Sequence, residues 1–535
     1  MRSLASLLLT FALVASSSAQ QAHQHELTAE QIGSVNFATS CAKSVTADFN
    51  RAVALLHSFQ YEQADEAFSK IAAKDPTCAM AQWGVAMANY HGLWDSGDMD
   101  RGRAASLKAT QLAFSNTHTT PGEKGYIDAI AEIYREDGKD AHAHAQAFEA
   151  RMAALRSQFP DDTEAAVFHA LSLAVTAPKT DRTFANQRKC GEILEPIFQK
   201  QPHHPGVAHY LIHCYDNPVL AEKALPAARA YAKIAPASAH ANHMPSHIFT
   251  RLGLWDESIA SNLNAARVAA QAEATSQNGE ARGERLHAMD YLEYAYLQSG
   301  RVKEAKAVLD QMRSLPPIKG LPLAGDYSSC AVPARYTIEL RKWKEASELP
   351  PHTTAVPWAQ AIVWAAIGEG AARSGNLSRA QEAEQNLARL RDASAAKSEY
   401  WSKQVEVQRR EVAAWIAQQS GKSDEAVSAM RHAAQLEESM DKHPVTPAQV
   451  TPAREMLAEL LVLNKQPKQA VAEYEAVLKV APNRFNALYG AATAADAAGD
   501  SATAANYFRK LTEIAVGDER PELAEARKKL TLAMK

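Results

Sequence analysis

Seven of the chain's 19 histidines fall between residues 203 and 247, where even spreading over 535 residues would put about two. Their spacing carries more than their number. His209 and His213 are four apart, and so are His243 and His247. On a helix, positions i and i+4 share a face, with Cβ atoms ~6 Å apart. His209 recurs as His243 and His213 as His247, each 34 residues later, and Pro202 recurs as Pro236. A period of 34 marks stacked helical hairpins, in which equivalent helices are neighbours. The spacing therefore predicts four imidazoles on one patch.

A third hairpin extends the pattern. His240, His243 and His247 lie 13, 10 and 6 residues before Gly253, and the same offsets from Gly300 give His287, Asp290 and Tyr294. Each set follows i, i+3, i+7 and so forms one helical stripe. Imidazole and carboxylate are ligands for transition metals. The candidate ligands are His209, His213, His243 and His247, with His240, His287 and Asp290 as auxiliaries. Four imidazoles without thiolate disfavour a closed structural zinc site and fit copper, zinc or iron with an open position. At helix-packing separation, roughly 10 Å, the two pairs hold one ion between them or one ion each. Tyr210, Tyr291 and Tyr294 are placed to orient or react, and Asp216 to support a ligand from behind. Cys214 points ~100° away from His213. His169 is out of register. His57 and His91 read as structural, and His142 and His144 as surface. Lys442 and His443 fall where the end of a groove would meet a ligand.

Positioning these residues takes a long helical array. The chain is alanine-rich, with 23 Gly and 24 Pro in 535 residues, and strand-like alternation is missing. That composition suits a solenoid, in which each unit packs only on its neighbours. FQYEQADEAFSKIAAKDP (59–76) reads as the second helix of a hairpin, with Ala64 and Phe68 in a small and a large packing slot. Trp83-Gly84 follows on the next first helix. Thr120 reads as an N-cap before Pro121. Near the C-terminus Ala470 matches Ala504 and Tyr474 matches Phe508, again 34 apart.

On these segments the chain resembles a tetratricopeptide-repeat (TPR) protein over most of residues 44–535, most specifically at 202–271 and 465–512. The HYLIH and HMPSHIF segments also resemble exported bacterial TPR proteins. The resemblance implies an all-α, TPR-like helical-hairpin solenoid, a right-handed superhelix of about a dozen hairpins. It also implies a scaffold that holds a protein or peptide in a concave groove lined by the first helices, where the stripe would lie.

The organisation read from the sequence is a signal peptide at 1–19, a flexible N-terminal arm at 20–43 and an N-terminal solenoid with the histidine stripe at 44–312. A proline-rich connector (313–357) and a C-terminal solenoid (358–535) follow. Leu4 to Ala15 is an apolar run of signal-peptide length, and Ser17-Ser18-Ala19 is a small-residue cleavage site before Gln20. The run is too short to span a bilayer. The expected destination is therefore export, periplasmic or secreted, without stable membrane insertion. A net charge of -4 argues against nucleic acid, which needs a basic face. Cys190 with Cys214 and Cys41 with Cys78 are placed to bridge in an oxidising compartment, leaving Cys330 over.

Three functions compete: an exported scaffold with a transition-metal site, a metal-dependent enzyme (hydrolase or copper oxidase) on the same histidines, and a metal-free peptide-binding scaffold. HExxH, GxSxG, Walker, GxGxxG and CxxCH motifs are missing, so no nucleophile and base can be named apart from the metal.

Overall fold

A computed structural model describes residues 27–93, 97–275, 279–318, 320–354 and 356–533. The expected signal peptide lies outside the described residues. Within them there is no strand, and twelve helical hairpins run in sequence from Thr46–His57 with Tyr61–Lys74 to Phe485–Ala497 with Ser501–Ile514, closed by the helix Pro521–Ala533. The chain is a TPR-like solenoid.

Local chemistry sets the hairpins. The expected cap at Thr120 forms a capping box with Glu123, and Pro121 opens its helix. Asp140, Asp162, Ser238 and Ser398 also accept backbone N–H groups at helix starts, each interaction contributing ~1 kcal/mol. Helices then pack through a small residue against a large one. A Cβ on Gly84 would stand 2.2 Å from the Phe68 ring, and one on Gly490 2.3 Å from the Tyr474 ring. Glycine at these two positions lets the aromatic ring of the preceding helix lie directly on the backbone.

The C-terminal hairpins fold across the middle of the chain. The Trp255 indole donates to the Asn483 carbonyl at 3.0 Å, and the Val516 N–H to the Ser299 carbonyl at 3.0 Å. Buried ion pairs line this contact: Arg335 beside Asp290 and Glu293, and Arg484 at 2.7 Å from both Glu339 and Glu455.

Three expectations need correction. Residues 27–43 are no free arm: Ile32 and Phe37 are buried, and Ser34 N–H bonds to the His203 carbonyl. Ile32 and Phe37, with Leu27 and Val35 packed beside them and Cys41 bridged to Cys78, dock it. The 313–357 connector contains the 17-residue helix Leu323–Glu339, with Pro333 inside it, so this proline does not end the helix. His144 is buried, with Nδ1 at 2.8 Å from the Glu132 carbonyl, and is not a surface residue. Disulfides join Cys41 to Cys78 and Cys190 to Cys214, and Cys330 is free and buried.

Candidate metal centre

The stripe histidines occupy three consecutive first helices: Pro205–Tyr215, then Ala239–His243 running into Pro245–Arg251, then Gly279–Gln298. Pro205 takes the first position of its helix, and the His204 side chain caps it by accepting the Val207 N–H. Ser238 caps the second helix. Pro245 falls early enough after Met244 that the chain stays helical and His243 and His247 keep a common face.

The six imidazoles gather as two triads and not as one patch of four. His209, His213 and His240 form the first, and His243, His247 and His287 the second. Within each, the ligand nitrogens lie within 4.8 Å of one another. Both are built alike: an i, i+4 pair from one first helix, completed by the histidine 13 residues before the turn glycine of the next hairpin. His240 and His287 are thus full members and not auxiliaries. Asp290, predicted as a ligand, is not a member. It is fully buried and bonded to Arg335. Arg335 takes Oδ1 while Oδ2 has no hydrogen-bond partner, so Asp290 lies on a face committed to a guanidinium. Tyr294 likewise bonds to Arg484, at 3.4 Å.

The groups behind three of the imidazoles, His209, His243 and His247, fix their tautomers. His209 Nδ1 is 2.6 Å from the carbonyl of His57, the last residue of its helix, whose oxygen has no intrahelical donor. A carbonyl only accepts, so Nδ1 carries the proton. His243 Nδ1 donates to Asn262 Oδ1 at 2.7 Å, and Asn262 is oriented by its own amide donating to the Ser258 carbonyl. His247 Nδ1 donates to Asp216 at 2.9 Å, the supporting role expected for Asp216. Asp216 is also held by Arg251, at 2.8 Å, and faces Lys442 at 3.7 Å, so Lys442 meets the site as the sequence suggested. His443 does not, and lies over Trp401 instead.

With Nδ1 protonated, Nε2 of a neutral imidazole is a bare lone pair. His243 Nε2 and His247 Nε2 face each other at 3.0 Å. His209 Nε2 is 3.0 Å from Nε2 of both His213 and His240. Three nitrogens at the usual ~2.0–2.1 Å from a tetrahedral ion stand roughly 3.3 Å apart. Burial, and after it the charge of neighbouring imidazoles, pushes five of the six well below the ordinary histidine pKa. Burial also lowers His247, against the pull of Asp216. All six are neutral at pH 7, the form that binds metal. Neither ring nitrogen of His287 has a hydrogen-bond partner, although the residue is only 6% exposed.

Aromatic rings wall the triads. Phe59 lies within 4.4–5.6 Å of His209, His213 and His240, and Tyr231 stacks on His209. Phe59 sits in the left-handed region, φ 54°, at the tight turn that also presents the His57 carbonyl. Tyr291 packs on His243 and His247 and donates to the carbonyls of Pro444 and Thr446. That contact brings the C-terminal half over the stripe. His209, His243, His247 and His287 are buried.

A third cluster is satisfied internally. Glu164 accepts from His57 and His204, both at 2.8 Å, and His57 Nδ1 meets the Tyr210 hydroxyl at 3.0 Å. His57 is structural, as expected. Phe59, Tyr231 and Asn262 carried no signal in the sequence, since each enters from outside the stripe.

No protein-family model matches the chain, and no curated protein matches it. Similar solved structures include the human IFIT1 dimer with PPP-AAAA, 12% identical at a TM-score of 0.37, covering 87% of this chain and 90% of that one. Another is a monomeric mutant of IFIT1 with Gppp-AAAA, 10% identical at a TM-score of 0.38, covering 86% and 95%. Likeness at this level says nothing of function.

Proposed function

We propose that this protein is a transition-metal-binding TPR-like solenoid that holds two neighbouring ions, one on each histidine triad. The observation that carries the reading is the facing pair His243 and His247. Two bare lone pairs at 3.0 Å inside a core repel, and a cation between them turns repulsion into coordination. Around His209, Nε2 of His213 and of His240 stand at the same 3.0 Å spacing.

Copper is the metal that best fits. Six neutral imidazoles supply no negative charge, so burying two divalent ions there is costly, whereas monovalent copper halves that charge. In the divalent state, copper also binds nitrogen sites more tightly than the other first-row ions. Zinc and iron are the competing occupants.

Three ligands leave a coordination position open on each ion. A cavity of about 620 Å³ reaches one histidine of each triad, His240 and His287. This favours an enzyme, an oxidase more than a hydrolase, over a purely structural centre. A protein or peptide partner would dock elsewhere, because the stripe is enclosed. Export to the periplasm or beyond is part of the proposal. Its support is the signal-like N-terminus and two disulfides, bonds that persist in oxidising compartments. No helix among the described residues is long and apolar enough to cross a membrane.

Elemental analysis of the mature protein after copper loading and exhaustive dialysis tests the reading, beside a His209→Ala/His243→Ala double variant checked for folding by circular dichroism. Two equivalents in the parent and none in a folded variant support it. A parent that retains no metal after loading with copper, zinc or iron overturns it.

A further inference from the structure

The 620 Å³ cavity has the size of a small-molecule site, and its walls say what kind of molecule it takes. His240 and His287 line it. Phe59 and Tyr61 supply aromatic faces, Tyr61 being stacked on His91 at 3.9 Å. Five carboxyl groups and Arg101 also line it, among small and apolar residues such as Ala88, Gly283 and Pro322. Asp65 and Asp98 are taken by Arg101, whose guanidinium grips Asp65 at 2.7 and 3.0 Å and whose N–H bonds to Asp98.

Glu62, Glu280 and Glu284 line the same space. Glu280, Glu284 and His287 follow i, i+4, i+7 on one helix and so share its cavity face. Glu280 stands against Glu62, a neighbour of the same charge. Burial pushes Glu280 up to about 8 and Glu284 up to about 7, with the neighbouring carboxylates adding to the effect. Carboxyl groups crowded against aromatic faces favour one kind of guest, a cation that lets Glu280 and Glu284 ionise. The second sign of a missing ligand is His287, nine-tenths buried, with neither ring nitrogen partnered.

We propose that this cavity admits a small organic cation, its positive group held by Glu62, Glu280 and Glu284 and its apolar body against Phe59 and Tyr61, beside the open positions of the two metal ions. The assignment names the substrate class of the site above and rests on that reading.

Calorimetric titration of copper-loaded protein with benzyltrimethylammonium tests it. This probe carries a charge but no lone pair for a metal. Benzyl alcohol is the neutral control, and the variant is Glu280→Gln/Glu284→Gln, with copper content measured in every sample. The expected result is binding of the cation at least tenfold tighter than of the alcohol, with that preference lost in a variant that keeps its copper. Equal binding of the two probes, or a variant that binds the cation as the parent does, overturns the assignment while leaving the metal reading intact. Selective, carboxylate-dependent binding in a protein that takes up no metal upholds the cavity as a cation site and removes the metal reading from it.

Discussion

His243 and His247 point Nε2 at Nε2 across 3.0 Å, while their Nδ1 protons are committed to Asn262 and Asp216. Neither ring can rotate to relieve the contact without giving up a buried hydrogen bond. The geometry of a ligand pair is thus built into the apoprotein, as metal sites require when their outer partners orient the ligands.

Because the two triads share no histidine, they should empty independently. His243→Ala is expected to lower copper from two equivalents to one, and His213→Ala likewise. Elemental analysis of each single variant checks this. Loss of both ions from either one would show a single shared site.

Asp216→Asn tests the outer support. It keeps the shape but removes the charge that orients His247, and it leaves Arg251 and Lys442 facing a neutral amide. Weakening of metal binding by about 10–100-fold is expected, read by competition with a chelator of known affinity. Unchanged affinity would mean that His247 is held by packing alone.

Asp290→Ala separates the corrected ligand set from the original one. Asp290 neutralises the fully buried Arg335. Removing one partner of a buried pair costs about 3–5 kcal/mol. The thermal midpoint should fall, while copper stays at two equivalents in the folded protein. Loss of copper at full stability would restore Asp290 as a ligand.

Glu164 gives the acid limb of stability. Burial alone would raise its carboxyl, but His204 and His57 beside it hold it far below the usual carboxylate range. A depressed folded-state pKa stabilises above the unfolded value, ~4.3, and that contribution is lost as pH falls below it. Glu164→Gln should therefore unfold at lower temperature than the parent at pH 7, with the gap constant down to about pH 4–5 and narrowing progressively below it. Calorimetry across this range is the measurement. Parallel curves would assign the acid sensitivity elsewhere.

The repeat and the i, i+4 pairs were legible because register along one chain is arithmetic. Even the third ligand of each triad was visible as an offset from Gly253 and Gly300. What failed was partnership across the fold. Nothing in residues 286–294 says that Asp290 meets an arginine 45 positions later. Nor does the local sequence say that Pro444 and Thr446 return to cover Tyr291, closing a stripe that would otherwise line a groove. Asn262 and Phe59 belong to the same category: each is ordinary in its own helix or turn and acquires a role only through packing. The docked segment at 27–43 rests on Leu27, Ile32, Val35, Phe37 and the Cys41–Cys78 bridge, whose irregular spacing forms no helical or strand pattern.

An anomalous difference map from crystals of copper-loaded protein, collected at the copper edge, tests the central claim most directly. Two peaks are expected, one about 2.0 Å from Nε2 of His209, His213 and His240, the other equally close to His243, His247 and His287. Crystals of loaded protein with no peak at either triad would contradict it.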